Sequence, residues 1–336
     1  MSLTSHLNDP TSPIGQFIKQ RFAQTARLTK AANLQLKAAE TLRPALPGVS
    51  YPYAPIGTAI DYRIRYAFDV TPYQQLVAWH GALLLTTKPI ESNDDIVVDE
   101  DELLAILTLT PIYFDIMQGV AQGPYPLKLV RQFFESLNYT LQTIQPVGRL
   151  LDAEAEHLLD RYCVVLSFFE QVFRSNAYLQ GPLMQPTVKQ SVEELLAIPR
   201  DSWLDDLSQI FNLFYARYHE LLSRPYILNP TFAGSLDIGG ADADLVVDGC
   251  LIDIKASVSP QIKAEYLYQL AGYLLLDYDD QLHMNAVAIY MARQGMLFTW
   301  SVDKFLHELT GNTVPSLLAL RQDFRTLCRS TQTRYR

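Results

Sequence analysis

Cysteine is scarce in this chain. Its 336 residues include three, Cys163, Cys250 and Cys328, far apart and in no C-x-x-C pair, which excludes a disulfide framework and a four-thiolate metal cluster. They read as reduced core residues. Long apolar runs are missing too. The longest uncharged stretch, Val70 to Thr87, is broken by Pro72, Gln74, Gln75 and His80 and makes a poor membrane span. Met1 to Pro13 is polar, with no charged segment leading into an apolar one, so no secretory signal is read there. The expectation is a cytoplasmic protein that does not engage a membrane.

Several catalytic signatures are also absent. None of the six histidines stands in an H-E-x-x-H or another two-His metal spacing, so each reads as a surface residue or a hydrogen-bonded core residue. Gly234-Ser235 and Gly239-Gly240 fit neither a P-loop nor a dinucleotide-binding fingerprint, because no Gly-Lys-Ser/Thr follows. No G-x-S-x-G occurs, which removes the usual nucleophile elbow. A net charge of -9 argues against a protein that coats nucleic acid over its whole surface. The charge is unevenly spread, however. Residues 1 to 50 carry six Lys or Arg against Asp9 and Glu40, and Pro315 to Arg336 carries five Arg against Asp323. An acidic run of Asp94, Asp95, Asp99, Glu100, Asp101 and Glu102 supplies part of the excess. Either basic end could grip a polyanion or simply be a solvated helix face.

What is present falls into two parts. From Ile14 to about Leu222 apolar residues recur at helical spacing, with Pro and Gly punctuation near Pro44 to Gly57, Gly123 to Pro126 and Gly181 to Pro186, which predicts seven or eight helices. Ser191 with Glu194 is a capping box, and Asp201 precedes another helical pattern. After Pro225 the chain turns to short β-rich runs at Thr231 to Ile238, Asp242 to Val247, Cys250 to Ala256, Ala286 to Ala292 and Met296 to Val302, with a helix over Gln261 to Leu276. The expected architecture is a helical region over 1-225 followed by an α/β core over 226-336.

The chemistry concentrates in Asp242-Ala-Asp244-Leu-Val-Val247-Asp248-Gly249-Cys250-Leu-Ile-Asp253-Ile-Lys255. Asp248-Gly249 between β-rich runs is a strong signal for a two-residue type I′ turn, which needs positive φ at both positions. That fixes a register with Val247 opposite Cys250, Asp244 opposite Asp253 and Asp242 opposite Lys255. One face then carries Asp242, Asp244, Asp253 and Lys255, and the other Ala243, Leu245, Val247, Cys250, Ile252 and Ile254. Packing is expected on the apolar face. Opposed carboxylates with Cβ atoms about 4.5 to 5.5 Å apart repel unless a cation lies between them. Hard oxygen ligands at that spacing suit Mg²⁺ or Mn²⁺, and Lys255 can orient or deprotonate an attacking water. The plainer reading is an acidic strand face turned to water, with Lys255 neutralising Asp242. Acidic residues are depleted in strands, and three of them with a lysine on one face favour a site.

At these residues the chain resembles the PD-(D/E)XK nuclease superfamily, in which an acidic residue on one strand, here Asp244, precedes an Asp/Glu-x-Lys on the next, here Asp253-Ile254-Lys255. Within it the RecB-like exonuclease branch is the nearest resemblance. That branch places a Gln-x-x-x-Tyr on the following helix, matched by Gln269 and Tyr273, which share a helix face at i and i+4. It also has a Gly-x-x-x-His whose His completes the metal shell. The counterpart here is Gly57-Thr-Ala-Ile-Asp61, with Asp in place of His. The resemblance implies a restriction-endonuclease-like core, a Mg²⁺- or Mn²⁺-dependent DNA hydrolase without an iron-sulfur cluster, DNA as partner, and other proteins of a DNA-processing or defence system as further partners. Asp244 and Asp253 would hold the metal, with Asp61 and Asp242 as further ligands, while Lys255, Gln269 and Tyr273 complete the catalytic set. Exonuclease and endonuclease action stay open, as does an RNA substrate. The alternative is a catalytically silent copy of the fold serving as a nucleic-acid-binding or protein-interaction module. Tyr51, Tyr53, Tyr62, Tyr66 and Tyr73, near Arg63 and Arg65, could stack bases or belong to the core.

Overall fold

The turn at Asp248-Gly249 organises the sheet. Asp248 (φ 50°) and Gly249 (φ 75°) both adopt positive φ and join β2 (Leu245–Val247) to β3 (Cys250–Lys255). The pairing is Val247 with Cys250, Val246 with Leu251 and Leu245 with Ile252, the register that the turn dictates. A Cβ at Gly249 would also come within 2.6 Å of the Asn285 side chain. Gly249→Ala is therefore expected to cost about 1 to 2 kcal/mol from the left-handed backbone alone, more if Asn285 cannot yield. A denaturant titration of the two proteins checks this.

The computed structural model describes residues 2-45, 51-86, 123-175, 181-311 and 316-332, so the acidic run at 94-102 lies outside the described residues. Among the described residues the chain is mixed α/β, with twelve α-helices and one five-stranded sheet. None of these helices is long and apolar enough to cross a membrane. The sheet runs β1-β2-β3-β4-β5, where β1 is Tyr226–Leu228, β4 Ala286–Met291 and β5 Met296–Ser301. All neighbours are antiparallel except β3 and β4, which are parallel and joined through the helix Ala264–Leu276. The strand expected over Thr231 to Ile238 does not form. The first strand is instead Tyr226–Leu228, and residues 232-241 fold into a turn with a short 3-10 segment, Leu236–Ile238. Ser235 explains the difference: its hydroxyl accepts from Phe232 N (2.9 Å) and donates to Ala241 O (2.6 Å), while Gly239 and Gly240 take positive φ.

The chain divides into two compact units, residues 1-43 with 216-336, and residues 44-215. The boundary expected at 225/226 thus differs from the observed one. The first three helices, Leu3–Asn8, Pro13–Arg21 and Ala26–Ala38, supply Leu3, Leu7, Ile14, Ile18, Phe22, Leu28, Ala32 and Leu36 to the core that also holds Val246, Leu251, Val287 and Ile289. Asn33 fastens the third helix with both ends of its amide, donating to Ile262 O (3.1 Å) and accepting from Ile262 N (2.7 Å). The C-terminal helix Leu317–Gln332 belongs to the same unit. Its arginines serve mainly intramolecular pairs: buried Arg321 reaches Asp280 (2.8 Å) and Asp277 (3.3 Å), and Arg325 reaches Asp279 (3.1 Å).

The second unit is helical among its described residues. Gly81 lets the helix Val77–Leu84 approach the backbone of Ala153–Ser175, since a Cβ there would overlap Phe169 O. Fully buried Arg63 grips Glu156 with two hydrogen bonds (2.8 and 2.7 Å), lies 3.8 Å from Asp160 and sits over the Phe211 ring at 3.4 Å. Burial, then the charge of Glu156, pushes the Asp160 carboxyl well above its usual range, against the pull of Arg63. Tyr51, Tyr62 and Tyr66 are buried, with Tyr51 bonded to Asp206 and Tyr62 to Glu170. These three rings belong to the core, not to a base-stacking surface.

Candidate active site

Asp253 and Lys255 stand two residues apart on β3 and share a face. Pairing across the sheet identifies that face. Leu251, Asp253 and Lys255 align with Val287, Ile289 and Met291 on β4, and these with Trp300, Phe298 and Met296 on β5. This is the side that carries the main core together with Leu267, Leu270 and Leu274 of the helix Ala264–Leu276. The hairpin was expected to pack by its other face, but both are packed: Leu245, Val247 and Ile252 are also buried, and Tyr218 meets Tyr290 edge-on at 5.5 Å. Asp253 consequently sits within a hydrophobic layer, 1% exposed.

A carboxylate in such a place is costly unless it is paired. Lys255 Nζ lies 2.7 Å from Asp253 Oδ2. Burial pushes the Asp253 carboxyl upward, and Lys255 beside it offsets this only in part. For Lys255 burial works against the charge, yet the carboxylates of Asp253 and then Asp244 outweigh it and raise its pKa. The lysine is held protonated. Its ammonium also donates to Gln269 Oε1 (2.9 Å), and Gln269 Nε2 donates to the Tyr273 hydroxyl (2.7 Å). Asp253, Lys255, Gln269 and Tyr273 thus form one continuous polar chain between β3 and the helix that covers it. The Tyr273 ring is fixed by stacking on Phe232 (5.2 Å, 15°).

Asp244 joins the same place from the neighbouring strand. The ladder between β2 and β3 stops at Leu245 and Ile252, and beyond it Asp244 Oδ2 accepts from Ile254 N (2.5 Å). The β2–β3 ladder does not extend to Asp242 opposite Lys255; Asp242 bridges Thr231 through its backbone instead. It nevertheless remains close enough to act on Tyr273. Burial first, then Asp253, Asp244 and Asp242, push that hydroxyl well above its ordinary range. Asp61 belongs to the other compact unit, where it pairs with Arg65 one helical turn on.

Among the described residues no three His, Cys, Asp or Glu side chains are gathered at metal-ligand spacing. The residues present fit a divalent cation in a sparser way. Asp253, Asp244 and Asp242 all act on Tyr273, and Asp253 on β3 and Asp244 just before β2 offer hard oxygens. Mg²⁺ is commonly held by one or two carboxylates, with water and substrate phosphate completing its shell.

One neighbour was passed over in the reading of Gln269 and Tyr273. Tyr266, three residues before Gln269 on the same helix stripe, places its ring 5.1 Å from Lys255 Nζ. The spacing i, i+3, i+7 could have found it.

No family model, no curated protein and no solved structure matches this chain.

Proposed function

We propose that this chain is a Mg²⁺- or Mn²⁺-dependent deoxyribonuclease of the PD-(D/E)XK type, with a restriction-endonuclease-like core and the RecB-like exonuclease branch as its nearest resemblance. The observation that carries this reading is the buried Asp253–Lys255 pair, 2.7 Å apart and tied through Gln269 to Tyr273. A stability-driven core would place an apolar side chain there, as Ile289 does on the adjacent β4 and Phe298 on β5 beyond it. The antiparallel β1-β2-β3 arrangement, followed by a helix and a parallel β4, supports the fold assignment.

Asp244 and Asp253 would hold the metal, with Asp242 next to them, and the ion would supply Lewis-acid stabilisation of charge on the phosphate and a more acidic bound water. Two of the three ammonium hydrogens of Lys255 are directed to Asp253 and Gln269, and the third is presented to a phosphate oxygen or the attacking water, fixing its geometry. Gln269 holds that ammonium in place through its carbonyl, and Tyr273 locks the Gln269 amide from the other side. The surrounding hydrophobic layer lowers the local dielectric and strengthens each of these charge interactions.

The test is incubation of the purified protein with labelled linear and circular DNA in Mg²⁺, Mn²⁺ or EDTA. Cleavage with either ion and none in EDTA is expected, and cutting of circles separates endonuclease from exonuclease action. Binding of DNA without cleavage under any of these conditions would favour the silent nucleic-acid-binding module.

A further inference from the structure

We infer that Tyr266 packs against an unpaired nucleobase or its sugar next to the scissile phosphate, so that the preferred substrate is a single strand or a frayed end. This rests on the nuclease reading and deepens it. Three residues of the helix Ala264–Leu276 line the polar chain at β3: Tyr266, Gln269 and Tyr273. Two of them are spent inside the protein. Gln269 is bonded to Lys255 and Tyr273, and Tyr273 is 5% exposed and stacked on Phe232. Tyr266 differs. Its ring is only partly buried, it rests against the edge of the core, and its hydroxyl makes no hydrogen bond to any described residue.

Its position relative to Lys255 decides what it meets. The ammonium lies 5.1 Å from the ring centroid, so a phosphate oxygen held by that ammonium brings the attached sugar and base within reach of the same ring. Every base has a π-face, and aromatic side chains bind such faces without regard to sequence. In a duplex those faces are covered by the stacked neighbours, and exposing one costs unstacking and unpairing. An aromatic wall this close to the phosphate-binding ammonium therefore favours a strand whose bases are already free.

The experiment measures binding of fluorescent oligo(dT) and of a blunt duplex by anisotropy, with Ca²⁺ in place of Mg²⁺, and then cleavage of both with Mg²⁺. Wild type should bind the single strand more tightly than the duplex. Tyr266→Leu should weaken oligo(dT) binding by about tenfold, with a much smaller loss on duplex, and should raise KM on the single strand while sparing kcat. Tyr266→Phe, which keeps the ring, should restore most of the affinity. Photocrosslinking of wild type to bromouracil-substituted oligonucleotide requires no variant and should give an adduct on Tyr266. Unchanged oligo(dT) affinity in Tyr266→Leu, or no adduct at Tyr266, overturns the inference while leaving the nuclease reading intact. A fall in kcat on both substrates with binding unchanged also overturns it, because the ring would then act only by steadying Lys255. A wild-type protein that neither binds nor cleaves DNA overturns the nuclease reading and this inference together.

Discussion

Lys255→Ala should lose DNA cleavage by about a thousandfold, the scale on which removing a single preorganised donor at a reacting centre slows an enzyme, while its stabilisation by Mg²⁺ or Mn²⁺ persists. The two effects separate because an ammonium has no lone pair to give a metal, whereas the one hydrogen that Asp253 and Gln269 leave over can hold a phosphate oxygen or the attacking water. The structure makes the loss specific: Lys255 is the cation 2.7 Å from Asp253 and 2.9 Å from Gln269. A thermal melt with and without Mn²⁺, run beside a cleavage assay on the same preparation, checks it. Near-normal cleavage by Lys255→Ala would remove this residue from the mechanism.

Asp253→Asn should lose metal-dependent stabilisation and cleavage together, since a neutral amide is a far weaker ligand for a hard dication. In wild type, a metal at a hundredfold excess over its Kd should add about 2.7 kcal/mol of stability, and in the variant this gain should largely vanish. The metal-free proteins give a further signature. Burial raises the Asp253 pKa, with Lys255 offsetting it only in part, so the folded state favours the protonated acid. That contribution is present at low pH and lost as pH rises through the raised folded-state pKa. Asparagine does not titrate. The melting temperature of Asp253→Asn relative to wild type should therefore rise between acidic and neutral pH in EDTA. A difference that falls with pH would mean that ionised Asp253 stabilises the fold, and would leave its burial to be explained as an ordinary ion pair.

The legible parts of this molecule are those set by local rules. Asp248-Gly249 admits one tight turn, so the pairing of Val247 with Cys250 followed from two residues. The i, i+4 spacing of Gln269 and Tyr273 put both on one helix face, where the amide and the hydroxyl are hydrogen-bonded. What could not be read depends on distant packing. The helical spacing that begins at Ile14 runs on without a break in pattern into the helices that follow, but the apolar residues from Leu3 to Leu36 are buried with Val246, Leu251 and the rest of the sheet core. Thr231 to Ile238 has strand-like composition, yet Ser235 bonds locally and turns the chain. The alternation of the hairpin separated acidic from apolar positions, but it could not show that Ile289 on β4 and then Phe298 on β5 continue the face of Asp253, which turns an acidic strand surface into a buried charge.

The most direct measurement of the site is anomalous diffraction at the manganese edge from crystals soaked in Mn²⁺, wild type beside Asp253→Asn. The expected result is a peak between the carboxylates of Asp244 and Asp253 in wild type and none in the variant. Absence of a peak there in wild type, or a peak at that position that survives in Asp253→Asn, would contradict the assignment of these residues as the metal centre.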